Sequence, residues 1–362
     1  MSRIALAVVL LAVTVLAASA FVAQIGKRYP AVVGSNVYRH SLGPAPLSMV
    51  STNQGEKSMS TPAKSFLDCV KQAVSSTKQL LDDGEKLIEV EFPPLPLEYL
   101  DDSASSARDI ADANTRWSVE FALSMAEMGK ISIVYPDQPE LEAAIEFVDE
   151  PGGAEPYTNV TLGTIRTDSI KNAESLDQVL LSIFGATVGG TVEGIEDTKM
   201  YIAVVSSTQE LPDLEKLHNL NPDIPIVFFN LRLDILRGDL GLPLFPGRDL
   251  HHRFLCKIKP SYLMRDRSYA TSLRKPPFIV NYSGLLYRAY PEPYQNILNT
   301  GDNTIKVCSF DNSRPTNMGF RKALTDALVV PGVTAEELKG NEGNLVWWEK
   351  EMAKESSDNW RS

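Results

Sequence analysis

Cysteine and histidine are scarce, and their scarcity removes several kinds of chemistry at once. Only three cysteines occur, Cys69, Cys256 and Cys308, in 362 residues. Three cannot all pair, and none forms a CxxC or stands near a matched histidine. A disulfide framework or a zinc site is therefore not expected, and scattered reduced thiols are. Four histidines occur in all, and residues 61–362 hold only His218, His251 and His252. His218 is read as a surface residue of a helix. His251 and His252 lie beside Asp249 and Arg253, but adjacent residues on a strand or helix point apart, which disfavours joint acid–base work. No GxSxG or HExxH arrangement is present. Gly185, Gly189, Gly190 and Gly194 follow a helix and precede a strand, the reverse of a phosphate-cradling loop, and lack GxxxxGK[ST] and GxGxxG spacing. A non-catalytic chain without metal or cofactor is the expectation.

Basic charge is also short. The formal net charge is −11, from 35 Lys+Arg and 46 Asp+Glu. Residues 1–60 hold five of the basic groups (Arg3, Lys27, Arg28, Arg39, Lys57) and one acid, Glu56. That leaves 30 basic groups against 45 acids, so the body stands at −15. Phosphate backbones repel such a body, and nucleic acid is not an expected partner. Hydrophobic residues at 43% and charged residues at 22% match an ordinary globular protein.

The long apolar run is confined to the start. Ile4 to Ala20 follows Arg3 and closes on Ala18-Ser19-Ala20, the pattern of a signal peptide. A membrane anchor is the competing reading, since about 20 apolar residues span a bilayer. The small-residue exit favours cleavage between Ala20 and Phe21. Residues 21–60 are rich in Ser, Ala, Pro and basic groups and nearly free of acid, which is transit-peptide composition. Ala18-Ser19-Ala20-Phe21-Val22-Ala23 resembles the junction motif of bipartite plastid presequences in diatoms and related algae. The resemblance implies delivery to a plastid, with no transmembrane helix in the mature protein. Plain secretion is the competing reading, with Asn159 and Asn281 then as glycosylation acceptors.

Residues 61–330 read as one α/β domain, organised on Met200–Asp234. Tyr201–Val205 and Ile224–Phe229 are apolar enough for strands buried on both faces, with a helix over Leu211–Leu220 between them. Upstream, a helix is expected from Thr61-Pro62 to Gly84, and a strand over Leu87–Phe92, whose acids suggest one wetter face. A long helix follows from Ser103 to Met128, striped by Ile110, Ala113, Trp117, Phe121 and Met125. Ile131–Tyr135 is a strand and Glu140–Phe147 a helix. Residues 148–174 read as loop, Leu176–Phe184 as a short helix, and Leu233–Leu250 as loop. Short strands are expected at Phe254–Ile258, Tyr262–Arg265, Phe278–Val280, Leu285–Tyr290 and Ile305–Phe310, then a helix over Asn317–Val329 and a tail, 331–362. The sum is a Rossmann-like three-layer sandwich, a mostly parallel sheet with an antiparallel C-terminal extension.

In open α/β sheets ligands gather beyond the carboxyl ends of the strands. Those ends present Ser206, Ser207, Asn230 and Arg232, and Arg248, Arg253 and Arg288 complete a candidate anion-binding set, since guanidinium forks suit carboxylate and phosphate. The competing role for the arginines is to pair with acids and tie loops to the sheet. Trp347 and Trp348 in the tail are candidate partner-binding residues.

Ordered pieces across the body carry a second resemblance. They are Thr61-Pro62, Glu89-Val90-Glu91-Phe92-Pro93, Ile133-Val134-Tyr135-Pro136-Asp137, Phe228-Phe229-Asn230-Leu231-Arg232-Leu233, Gly247-Arg248 through Arg253-Phe254-Leu255, and Tyr287-Arg288-Ala289-Tyr290-Pro291. Residues 61 to about 311 resemble a plant and algal plastid family of unknown function that includes a low-photosystem-II-accumulation assembly factor. The same domain also extends a chloroplast adenylate kinase at its C-terminus. The sequence departs in its 148–198 insertion, in Pro293 and in its tail, and the kinase portion has no counterpart here. The resemblance implies a plastid auxiliary protein of the stroma or stromal thylakoid face. It would assist photosystem II assembly by binding photosystem subunits or other assembly factors, peripherally to the thylakoid. A stromal small-ligand or nucleotide binder using the arginine-lined strand ends is the alternative.

Overall fold

The computed structural model describes residues 59–101, 105–149, 159–166, 191–301 and 304–339. Helix α1 (Phe66–Asp82) starts where the Ser65 hydroxyl accepts the Asp68 N–H, satisfying a donor that the first turn leaves open. The cap therefore falls at Ser65, beyond the expected Thr61-Pro62. The helix ends before Gly84, whose φ of +92° glycine adopts without a Cβ clash. Strand β1 (Leu87–Glu91) follows, then α2 (Leu97–Asp101), a short turn after the proline cluster. Helix α3 (Ala107–Met125) opens with a capping box between Ser106 and Asp109. Of its expected stripe Ala113, Phe121 and Met125 are buried, the last two fully enclosed, while Ile110 and Trp117 are half-buried at its margin. Trp117 stacks on Phe66 with ring centroids 5.0 Å apart and donates its indole N–H to the Pro94 carbonyl.

Strand β2 (Ile131–Tyr135) and helix α4 (Gln138–Asp149) fall close to expectation. Residues 148–174 do not stay loop: Val160–Thr164 is strand β3, paired parallel to β2. Its Gly163 and three polar or half-exposed neighbours hide the strand period, because an edge strand needs little apolar alternation. The helix expected over Leu176–Phe184 lies outside the described residues. Strand β4 (Met200–Ala203), helix α5 (Leu211–Leu220) and strand β5 (Ile226–Phe229) form the central unit.

The following stretch departs most. The expected loop Leu233–Leu250 contains helix α6 (Leu233–Asp239) and the start of α7 (Asp249–Arg253). The expected strand Phe254–Ile258 is a 3-10 turn at Leu255–Lys257; its apolar run is buried, and burial alone does not separate a strand from a turn. Strand β6 (Lys259–Ser272) is far longer than its apolar portion. The two short strands expected at Phe278–Val280 and Leu285–Tyr290 are one strand, β7 (Ile279–Ala289). Strand β8 (Tyr294–Gly301) was not expected, and β9 (Thr304–Asp311) was. Helix α8 (Asn317–Ala327) and a short α9 (Ala335–Lys339) follow.

Among the described residues nine strands form one sheet in the order β3-β2-β4-β5-β1-β6-β7-β8-β9. Pairs from β3 to β6 are parallel, and those from β6 to β9 are antiparallel. The sandwich is thus α/β and three-layered, with helices on both faces. One face buries Ile88, Val90, Ile133, Ile202 and Phe229 against α1, α3 and α4. The other buries Leu87, Tyr201, Ala203 and Phe228 against α5, α6 and α7, and α8 covers Leu263, Leu286 and Leu298 further along. Cys69, Cys256 and Cys308 are all free thiols.

Candidate functional site

Two features meet at the carboxyl end of β1. The first is an ion network inside the fold. Glu89 and Glu91 alternate with Ile88 and Val90, so they share the opposite face of the strand. That face is not wet, as the acids had suggested: Glu89 is 1% exposed and Glu91 6%. The next strand answers them. Arg265 of β6 clasps Glu91 through two nitrogens, with Nε at 2.6 Å from Oε1, and also reaches Asp234 of α6. Arg314, after β9, donates to Glu89 at 2.8 Å and to Asp234 at 3.2 Å. Arg237 donates to Asp234 at 3.3 Å. Three acids and three arginines are therefore matched in a site where an unpaired charge costs several kcal/mol. Burial would raise the Asp234 carboxyl, but Arg314, Arg265 and Arg237 together hold it well below the usual carboxylate range. For Arg265, burial is outweighed by Glu91 and Asp234, and its affinity for the proton rises.

The second feature is a cavity of about 230 Å³ beside this network, where β1 stops and β6 runs on. In the register of the pair, Glu91 lies opposite Leu263, while β6 continues to Ser272. The gap beyond β1 is walled by Phe92, Pro93, Pro94, Leu97, Leu100 and Ile110 on one side. Asn114, Asn230, Arg232, Arg265 and Arg267, together with the acids Glu91 and Asp266, supply the polar side. Asn230 fixes the floor: its side-chain oxygen accepts the Phe92 N–H at 2.8 Å, and its amide donates to Asn114 Oδ1 at 3.0 Å. Asn230 and Arg232 both have left-handed backbones, with φ of 54° and 53°. Such geometry costs an ordinary residue about 1–2 kcal/mol, less for asparagine, so the β5 exit is bent at some cost toward the cavity.

Of the predicted residues, Asn230 and Arg232 line this cavity, and the others lie elsewhere. Ser206 is buried and donates to the Val204 carbonyl. Ser207 binds Glu210 through both its N–H and its hydroxyl before α5. Arg248 packs on Gly241, where an added Cβ would come within 2.8 Å of its Cγ. Arg253 is exposed and clasps Glu215 at 2.7 and 2.9 Å. Arg288 is buried 4.6 Å over the Tyr294 ring, donating to the Tyr294 hydroxyl and the Glu292 carbonyl. Trp347, Trp348, Ala20 and Phe21 lie outside the described residues. His218 is not a surface residue but half-buried against Phe254, and burial lowers its pKa, with Lys257 adding to the effect. His251 and His252 do meet, with ring centroids 5.2 Å apart. The sequence reading missed Arg265, Arg267 and Arg314; the only signal was the matching i, i+2 spacing of Glu89/Glu91 and Arg265/Arg267. Among the described residues no group of acids, histidines and cysteines could hold a metal ion, and no helix is long and apolar enough to cross a membrane.

A nine-stranded mixed sheet with an arginine-lined cavity at a strand end defines a three-layer α/β protein. The chain belongs to the family described as a domain of unknown function, DUF1995, which matches residues 64–320. No curated protein and no solved structure matches it.

Proposed function

We propose that this chain is a non-catalytic plastid auxiliary protein that assists assembly or accumulation of photosystem II by transient protein binding. It reaches the stroma through the signal peptide and transit segment and touches the thylakoid peripherally. The presequence pattern supports the destination, and the ordered resemblance across the body supports the role. The structural observation that carries the binding part is the open edge of the sheet. Among the described residues strand β9 pairs only with β8, and Ile305 and Val307 are 49% and 41% exposed on one of its faces. A free strand edge offers backbone hydrogen bonds to an incoming segment, and alternate apolar side chains give it grip.

Co-purification tests this reading. A tagged full-length copy from gently solubilised plastid membranes should bring down nascent photosystem subunits, and an Ile305→Lys/Val307→Lys variant should lose them. A native copy recovered without membrane subunits would sink it. A second reading, a small-ligand binder of the stroma, is favoured by one observation: the Arg232 and Arg267 guanidinium groups line the cavity without a hydrogen bond or ion pair among the described residues.

A further inference from the structure

Neither the Arg232 nor the Arg267 guanidinium makes a hydrogen bond or ion pair among the described residues, although both line the 230 Å³ cavity. The acids nearby are already committed. Glu91 is held by Arg265, Glu89 by Arg314, and Asp234 by Arg265, Arg314 and Arg237. Asp266 also lines the cavity, where its carboxylate accepts the Asn299 amide at 3.5 Å. Arg267 is half-buried, and burial followed by repulsion from Arg265 lowers its affinity for the proton. Tyr269, Asp234 and Glu91 attract it only weakly by comparison, and a half-buried cation with no ion pair of its own is destabilising unless something supplies the charge.

The geometry points to a binding site for a small organic acid, with its oxyanion head between Arg232 and Arg267 and a compact apolar body against Phe92, Pro93, Leu97 and Ile110. Shape and size set the class. Two forks suit the planar oxygens of a carboxylate or the tetrahedral ones of a phosphate. About 150 Å³ accommodates a benzene-sized molecule, and drug-sized ligands occupy roughly 300–1,000 Å³. A cavity of 230 Å³ falls between, too small for a nucleotide and large enough for a carboxylic acid of up to about eight carbon atoms. The lining joins an apolar wall to three arginines, Arg232, Arg265 and Arg267, set against two carboxylates, Glu91 and Asp266, so cations outnumber acids there and a ligand with both apolar and anionic character is selected. This deepens the ligand-binding reading and is independent of the assembly role, since a result at the cavity leaves the β9 edge untouched.

Octanoate is the probe, with octanamide as its uncharged counterpart and inorganic phosphate as a head without a body. Calorimetric titration of the full chain should show octanoate binding, with octanamide and phosphate each at least about tenfold weaker. Charge-assisted hydrogen bonds of this kind are worth about 1.5–3 kcal/mol. Arg232→Gln and Arg267→Gln should therefore each weaken octanoate about tenfold or more. Arg274→Gln, an exposed arginine in the β6–β7 turn, removes the same charge and should change nothing. Octanoate and octanamide binding alike, phosphate binding as well as octanoate, an Arg274→Gln effect equal to that of Arg267→Gln, or no octanoate binding at all would each overturn the assignment. Arg232 is exposed, so its variant folds even where a half-buried change does not.

Discussion

Arg314 and Glu89 meet at 2.8 Å with side chains only 1% and 2% exposed, joining the last loop of the family domain to its first strand. The pair closes a network through Asp234 to Arg265 and Glu91. Because one Glu89 oxygen accepts Arg314 and the other has no partner, this corner is held by the ion pair rather than by a saturated set of hydrogen bonds. Each member therefore carries a large share of the local stability.

Asp234→Asn tests that coupling and its pH dependence. The folded carboxyl lies well below its ordinary value, so its stabilisation is complete above the unfolded pKa of about 3.9 and is lost as pH falls below it. At pH 7 the variant should lose about 3–5 kcal/mol, the cost of leaving buried partners unpaired. Urea titrations at pH 7 and pH 3 should show the gap between native and variant chains narrowing at the lower pH. An unchanged gap would place the pH sensitivity elsewhere.

Asn230 separates strain from hydrogen bonding. Asn230→Gly removes the bonds to Phe92 and Asn114 but accepts the positive φ, whereas Asn230→Ala loses both advantages. Alanine should be the more destabilising by about 1 kcal/mol, measured as a difference in urea midpoint. Equal losses would mean that the left-handed backbone stores no strain.

Arg265 and Arg267 lie two residues apart on one strand and should behave oppositely. Arg265→Met strands Glu91, takes one of three arginines from Asp234 and should cost about 3–5 kcal/mol. Arg267→Met removes a half-buried cation without a hydrogen bond or ion pair among the described residues, and should leave the thermal midpoint unchanged or raise it. A large loss at Arg267 would assign it a purely structural part.

The β9 edge should be separable from stability. Ile305→Lys and Val307→Lys place charge on side chains already exposed, so the thermal midpoint should move by less than about 0.5 kcal/mol in equivalent terms. Partner recovery from plastid membranes should fall. A comparable drop in the midpoint would mean that this face is packed in the folded chain.

The central βαβ unit was legible in the sequence because Tyr201–Ala203 and Ile226–Phe229 are buried on both faces and so read as unbroken apolar runs. Strand β6 was legible only where Tyr262 and Leu263 are buried; beyond them it is polar and amphipathic, and pairing with β7 extends it. Strand β8 mixes Tyr294, Ile297 and Leu298 with Gln295 and Asn296, and these buried amides, Gln295 donating to the Ser60 carbonyl and Asn296 to Ser309 and Asp311 of β9, mask its period. At the site, Asn230 and Arg232 stood out as a strand exit. Arg267 did not, because its importance depends on which acids Arg265 and Arg314 occupy, a relation among four segments that no local pattern records.

Photosystem II biogenesis in cells lacking the chain tests the central claim most directly. Pulse-labelled thylakoid proteins resolved on native gels should show newly made core subunits held in small subcomplexes, with slow passage to the complete photosystem, restored by the native chain and not by Ile305→Lys/Val307→Lys. Assembly at the normal rate in its absence would contradict the account.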